Sequence, residues 1–126
     1  ADVPVVSYLS GGVDSTTVAA TASSIRGSAI PTFTIQITDP ALDETDRALL
    51  AARTIGSKCT VLTCTGADIA NAYPRLVTAS EAPVVDTSCA AMLLLAEEVH
   101  RHGFRAVVTG EGADEALCGY PWYKTN

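Results

Sequence analysis

An α/β fold, a parallel sheet with helices on both faces, is what the sequence predicts, and three observations predict it. Four runs with the apolar or β-branched character of strands (Val3–Leu9, Thr32–Ile37, Cys59–Cys64 and Arg105–Thr109) alternate with stretches of helical periodicity. Strands separated by helices close through right-handed crossovers, which gives a parallel sheet covered on both sides. The length, 126 residues of which 48% are hydrophobic and 17% charged, allows one small domain and excludes a disordered chain.

Val3–Leu9 runs apolar until Ser10-Gly11-Gly12 ends it. Val13–Arg26 follows as a helix with a stripe of Val18, Ala19, Ala22 and Ile25 and a stop at Gly27. TFTIQI, Thr32–Ile37, is the second strand. Asp43 caps the next helix, which has Glu44 and Asp46 in its first turn, an apolar face of Ala48, Leu49, Ala52 and Ile55, and an end at Gly56. CTVLTC, Cys59–Cys64, is the third strand. Residues 67–77 form a weaker helix, interrupted by Pro74. Thr87–His102 is a stronger helix. It is apolar nearly all round through Ala90–Ala96, and so expected to be buried, before it turns polar at Glu97, Glu98 and Arg101. RAVVT, Arg105–Thr109, is the fourth strand.

A net charge of −6 leaves no basic footprint for nucleic acid or an anionic membrane. No apolar run approaches the ~20 residues of a spanning helix, and the expected setting is cytoplasmic. The four cysteines include no CxxC pair, and Cys59 and Cys64 stand at odd separation on one strand, facing opposite sides. All four are expected as reduced, separately packed thiols. His100 and His102, two apart on one helix, do not face each other and read as a solvated helix end.

Two glycine-rich turns carry the chemistry. Ser10-Gly11-Gly12-Val13-Asp14-Ser15 joins the first strand to its helix. Loop and first-turn N–H groups converge there on the positive end of the helix dipole, a site for an anion to which the Ser10 and Ser15 hydroxyls can add donors. The string fits neither the dinucleotide fingerprint nor the lysine-bearing phosphate loop. Asp14 would repel a phosphate unless a divalent cation such as Mg²⁺ lay between them; its alternative is an ordinary first-turn acid. After the fourth strand, Gly110 and Gly112 flank Glu111 and present its carboxylate on a tight turn. Asp114 and Glu115 follow where a short helix would start, which acids also favour for the dipole alone. If strands two and three build outward on one side of strand one and strand four lies on the other, both turns face one crevice. Asp14 and Asp114 could then grip one metal ion.

On these residues the sequence resembles the ATP-pyrophosphatase superfamily and, within it, the synthetase domain of glutamine-dependent asparagine synthetases. SGGVDS matches the superfamily's pyrophosphate loop, and GEGADEALCGY matches a stretch of the narrower group, which includes β-lactam synthetases. Glu81–Ser88 (EAPVVDTS) is similar to that group's acidic, Pro-containing segment ahead of a buried helix. The resemblance covers essentially the whole chain. It implies a Rossmann-like, adenine nucleotide alpha hydrolase-like sheet in the order 3-2-1-4. It implies a reaction in which ATP adenylates a carboxylate, the aspartate side chain foremost, with release of pyrophosphate. Ammonia then attacks the acyl-adenylate to give asparagine. Carried over, Ser10, Gly11, Gly12, Asp14 and Ser15 hold pyrophosphate and Mg²⁺, and Leu9 and Ile35 line the adenine and ribose. Thr109 and Gly110 make further nucleotide contacts, Asp114 reaches the metal or pyrophosphate, and Glu111 is the general base toward ammonia.

Family members often have glycine where Cys118 stands, and Asp86 can stand near the metal or cap the buried helix. They also carry a glutaminase domain with an N-terminal cysteine nucleophile, and further helices with a phosphate-contacting lysine beyond the GEGADE segment. Residues 1–126 are accordingly expected to be the N-terminal part of one ATP-binding synthetase domain, with the glutaminase domain and the C-terminal remainder absent. Exposed apolar surface, self-association or a homodimer, and little catalysis by the chain alone are expected with it. Two other readings stand beside this one. In the first the acceptor is an internal or different amine, as in β-lactam synthetases. In the second the chain is a non-catalytic nucleotide-binding module, against which the acids in both turns argue.

Overall fold

A computed structural model describes residues 2–124. The strands are β1 (Val5–Tyr8), β2 (Thr32–Ile37), β3 (Cys59–Cys64) and β4 (Ala106–Val108). They form one parallel sheet in the predicted order, β3-β2-β1-β4. β1 and β4 are shorter than the sequence suggests. Leu9 N–H still donates to Phe33 O (2.9 Å) before the chain swings into its glycine turn. Helices α1 (Val13–Arg26) and α2 (Thr45–Ile55) cover one face, where Ala19, Ala48 and Ala52 pack with Leu9 and Cys59. Helix α4 (Ser88–Arg101) covers the other face through Leu95 and Val99, which pack on Val6 and Phe33. Helix α3 (Gly66–Ser80) lies against α4 through Ala72, Leu76 and Ala90. A short α5 (Ala113–Leu117) and a 3₁₀ turn over Pro121–Lys124 follow β4.

Small side chains let α1 and α2 approach the sheet closely, and the polar groups beneath them are paired. Ser7 Oγ donates to Val108 O (3.2 Å), tying β1 to β4, and Ser57 Oγ donates to Ile30 O (2.6 Å). On α1 the buried positions are Ala19 and Ser23, while Ile25, predicted to face inward, is 84% exposed. Ser23 belongs to the inner face because its hydroxyl is satisfied there, donating to Ala19 O (2.7 Å) and accepting from Ile30 N–H (3.1 Å).

Helix α2 starts at Thr45, so Asp43 caps it from one residue further back than predicted. Its Oδ1 accepts Thr45 N–H (3.0 Å) and Thr45 Oγ1–H (2.5 Å), which holds the Asp43 carboxyl below its usual range. Helix α3 is not interrupted by Pro74 but runs through it to Ser80. Proline costs one bond to the carbonyl four residues back. Against that stand a Thr65/Asp68 capping box and an apolar seam on α4. Helix α4 is buried along Ala90, Leu95 and Val99 alone, since its flank carrying Met92 and Ala96 is open.

All four cysteines are free, with Cys59 and Cys64 on opposite faces of the sheet. His102 is more than a solvated helix end. Its ring meets Phe33 edge to face (5.4 Å between centroids), and Nδ1 lies 3.0 Å from Glu98 O. Large apolar side chains stand exposed at Val13, Val85, Leu117 and Trp122. Among the described residues no helix is long and apolar enough to cross a membrane.

Candidate functional site

Because β1 and β4 are neighbours, the turns at their carboxyl ends emerge side by side, where open parallel sheets take ligands. The first turn is closed by its own serines. Ser10 N–H donates to Ser15 Oγ (3.2 Å), the two hydroxyls lie 3.0 Å apart, and Gly12 N–H donates to Ser10 Oγ (3.3 Å). The hydroxyls therefore shape the loop instead of standing free as donors. Gly12 is the N-cap of α1 without a side-chain cap. Among the described residues, the N–H groups of Val13, Asp14 and Ser15 meet no acceptor. These are the orphan donors of a helix start, at the positive end of its dipole.

Gly110 makes the join between the turns. A Cβ there would lie 2.8 Å from Ser15 N and 3.1 Å from Asp14 C, so only glycine lets the second turn rest on the first. In the second turn Ala113 N–H donates to Gly110 O (3.2 Å), and Gly112 (φ 86°, ψ −4°) takes the corner of a type II turn that favours glycine. Glu111 occupies the other corner, exposed, with its N–H donating to Thr109 Oγ1 (3.3 Å).

Between the turns opens a cleft of about 310 Å³. Every residue predicted for the site lines it except Gly11. A Cβ on Gly11 would come within 2.6 Å of Ala48 N, so this glycine seats the loop on α2 rather than facing a ligand. Asp14 and Asp114 border the same cleft from the two turns. Asp86 does not line it. Its Oδ1 accepts Ser88 N–H (2.8 Å) at the start of α4, the bond expected of the capping alternative, and this holds its carboxyl below the usual range.

Further lining residues come from positions that sequence reasoning passed over. Met92 and Leu95 of α4 form an apolar wall, Leu42 and Glu44 come from the segment before α2, and Glu115 and Tyr120 close the far side. Tyr120 belongs to the quoted GEGADEALCGY string, which was the available signal. Its hydroxyl donates to Glu115 Oε1 (2.5 Å). That bond lowers the Glu115 carboxyl and, with Asp114 and Glu111 nearby, pushes the Tyr120 phenol up to about 12. The lining holds five carboxylates (Asp14, Glu44, Glu111, Asp114 and Glu115) and neither lysine nor arginine.

Cys118, between α5 and Tyr120, is left-handed at φ 56°. A side chain there costs about 1 kcal/mol that glycine avoids. Glycine's greater freedom in the unfolded chain offsets most of that, so Cys118→Gly is expected to raise stability by no more than about 0.5 kcal/mol, read as a slightly higher urea midpoint at unchanged slope.

A parallel 3-2-1-4 sheet with two glycine turns over one cleft is an adenine nucleotide alpha hydrolase-like domain. The same fold occurs in the glutamine-dependent NAD+ synthetase of Acinetobacter baumannii in complex with ADP, with a TM-score of 0.62, 19% identity, and coverage of 96% of this chain and 24% of that one. It occurs too in the NH3-dependent NAD synthetase of Campylobacter jejuni, at a TM-score of 0.55 and 22% identity over 92% of this chain and 50% of that one. The asparagine synthase family model matches residues 1–126, and the chain belongs to that family. It is 33% identical to amidase chyE of Penicillium rubens, over 100% of this chain and 21% of that protein. It is 30% identical to the glutamine-hydrolyzing asparagine synthetase 1 of Bacillus subtilis, over 98% of this chain and 19% of that protein. The chain thus spans about a fifth of the length of these relatives.

Proposed function

We propose that the cleft binds ATP and is the adenylating site of an amide-forming ligase, activating a small carboxylate, aspartate foremost, for attack by ammonia. The observation that carries this is the contact of Gly110 on Ser15, which brings an anion-binding helix start and an acid-bearing turn over one cleft. The free N–H groups of Val13, Asp14 and Ser15 receive phosphate oxygens, with Ser10, Gly11, Gly12 and Ser15 keeping the loop open for them. Leu9 and Ile35 flank the adenosine, and Thr109 and Gly110 complete the nucleotide contacts.

Five carboxylates around a triphosphate require a cation, and the donor set offered by Asp14 and Asp114 is the hard-oxygen type that suits Mg²⁺. When bound, the ion neutralises charge on the departing pyrophosphate. Glu111, on its exposed corner, takes the proton that ammonia loses as its nitrogen forms the amide. Family membership, and the glutamine-hydrolyzing name of the Bacillus relative, support a glutaminase domain in the whole protein as the source of ammonia. We place residues 1–126 as the N-terminal part of the synthetase domain, in the cytoplasm, inactive alone and prone to self-association through its exposed apolar side chains.

The test is thermal stabilisation of the full-length protein. ATP with Mg²⁺ at a hundred times the dissociation constant should contribute about 2.7 kcal/mol, a rise of several degrees that neither gives alone. No rise at millimolar ligand would overturn the reading. An internal or different amine as the acceptor on the same adenylating site is the alternative. Product analysis with a panel of amines separates it from ammonia.

A further inference from the structure

The segment Cys118–Tyr120 folds back over α5 and meets its two acids in turn. At Gly119 a Cβ would overlap Asp114 Oδ1, and would stand 2.9 Å from Asp114 Cγ and 3.2 Å from its Cα. Gly119 N–H donates to Asp114 O (3.0 Å), which fixes this approach through the backbone. One residue on, the Tyr120 hydroxyl holds Glu115 Oε1 at 2.5 Å. Tyr120 is itself stacked on Trp122, 4.3 Å between centroids and 14° from parallel. Asp114, Glu115 and Tyr120 all line the cleft.

From this geometry we infer that Cys118–Tyr120 is a positioning strap: Gly119 gives the Asp114 carboxylate its place at the cleft, and Tyr120 does the same for Glu115. Neither strap residue is placed on the reacting atoms; each acts through an acid. The missing side chain at Gly119 leaves room for the Asp114 rotamer at the cleft, and the Tyr120 hydrogen bond restrains the Glu115 carboxylate, which reduces the rearrangement needed when a ligand is bound. The consequence for Mg²⁺ rests on the proposed function, whereas the contact itself does not.

Two double-mutant cycles on the full-length protein test it. The first reads stability without nucleotide. Gly119→Ala should lower the thermal midpoint by only a degree or two in the wild-type background, because the exposed Asp114 carboxylate can turn away from the added methyl. In an Asp114→Ala background, where the overlapping carboxylate is gone, it should lower it by less than half as much. The second reads Mg²⁺-dependent ATP affinity by calorimetry. Gly119→Ala should weaken it about tenfold in the wild type and less than twofold beside Asp114→Ala. Tyr120→Phe, which keeps the stack on Trp122, is the second variant, and it should weaken affinity only where Glu115 is present and not in a Glu115→Gln background. Equal effects of Gly119→Ala in both backgrounds of the first cycle overturn the contact. Coupling in stability without coupling in affinity overturns the positioning role and leaves the proposed function standing. No ATP binding by the wild type sinks the proposed function, while the first cycle still decides the contact.

Discussion

Asp14→Asn is expected to lower ATP–pyrophosphate exchange by about a thousandfold while leaving the protein folded. The substitution keeps shape and removes one charge. Asp14 sits in the first turn of α1, half-buried, with Gly110 pressed against its carbonyl carbon and its side chain on the cleft. The structural cost is bounded by the loss of one acid from a helix N-terminus, about 0.3–1 kcal/mol, so the thermal midpoint should fall by a few degrees at most. The functional cost is larger. The remaining cleft carboxylates cannot substitute, because Glu44 approaches from the segment before α2 and the other three from the second turn and α5. Exchange within about tenfold of wild type, with ATP still bound, would mean that Asp14 is only the first-turn acid its dipole position permits.

The sheet was legible because its signals are local. TFTIQI and CTVLTC carry β-branched residues through whole strands, and the glycines after α1 and α2 end them as the sequence indicates. The two turns were legible because paired glycines directly after a strand mark where the chain bends sharply. What escaped depends on contacts between elements. Ser23 is inside and Ile25 outside because Ile30 N–H waits for the serine hydroxyl, a bond no periodicity reports. Pro74 stays in α3 because an apolar seam on α4 outweighs one missing bond. Asp43 and Asp86 are both caps, but each acts from the residue before the N-cap, so a rule tied to the N-cap alone misplaces one of them and leaves the other open. Gly11 and Gly110 look alike in sequence, yet one seats a loop on α2 and the other seals two turns together. Tyr120 and Gly119 needed the fold-back over α5 to show what they touch.

Glu111→Gln is expected to separate the two half-reactions. Exchange should stay within about twofold of wild type, and amide formation should fall about a hundredfold, the share that a positioned base supplies. The separation follows from where Glu111 stands. It occupies the exposed corner of a type II turn, its backbone fixed by Thr109 Oγ1 and Gly112, and among the described residues its carboxylate has no hydrogen-bond partner. A metal-holding acid would be expected to converge with Asp14 and Asp114. Glu111 instead stands on its exposed corner, where it can meet an incoming nucleophile. Glutamine keeps the size and hydrogen-bonding reach of the side chain but cannot take a proton, so the turn and the nucleotide contacts of Thr109 and Gly110 should persist. Raising the pH increases the fraction of free ammonia without restoring the base, so the deficit at saturating ammonia should persist across pH 7–9. Loss of exchange in this variant would move Glu111 into the first half-reaction and remove it from the ammonia step.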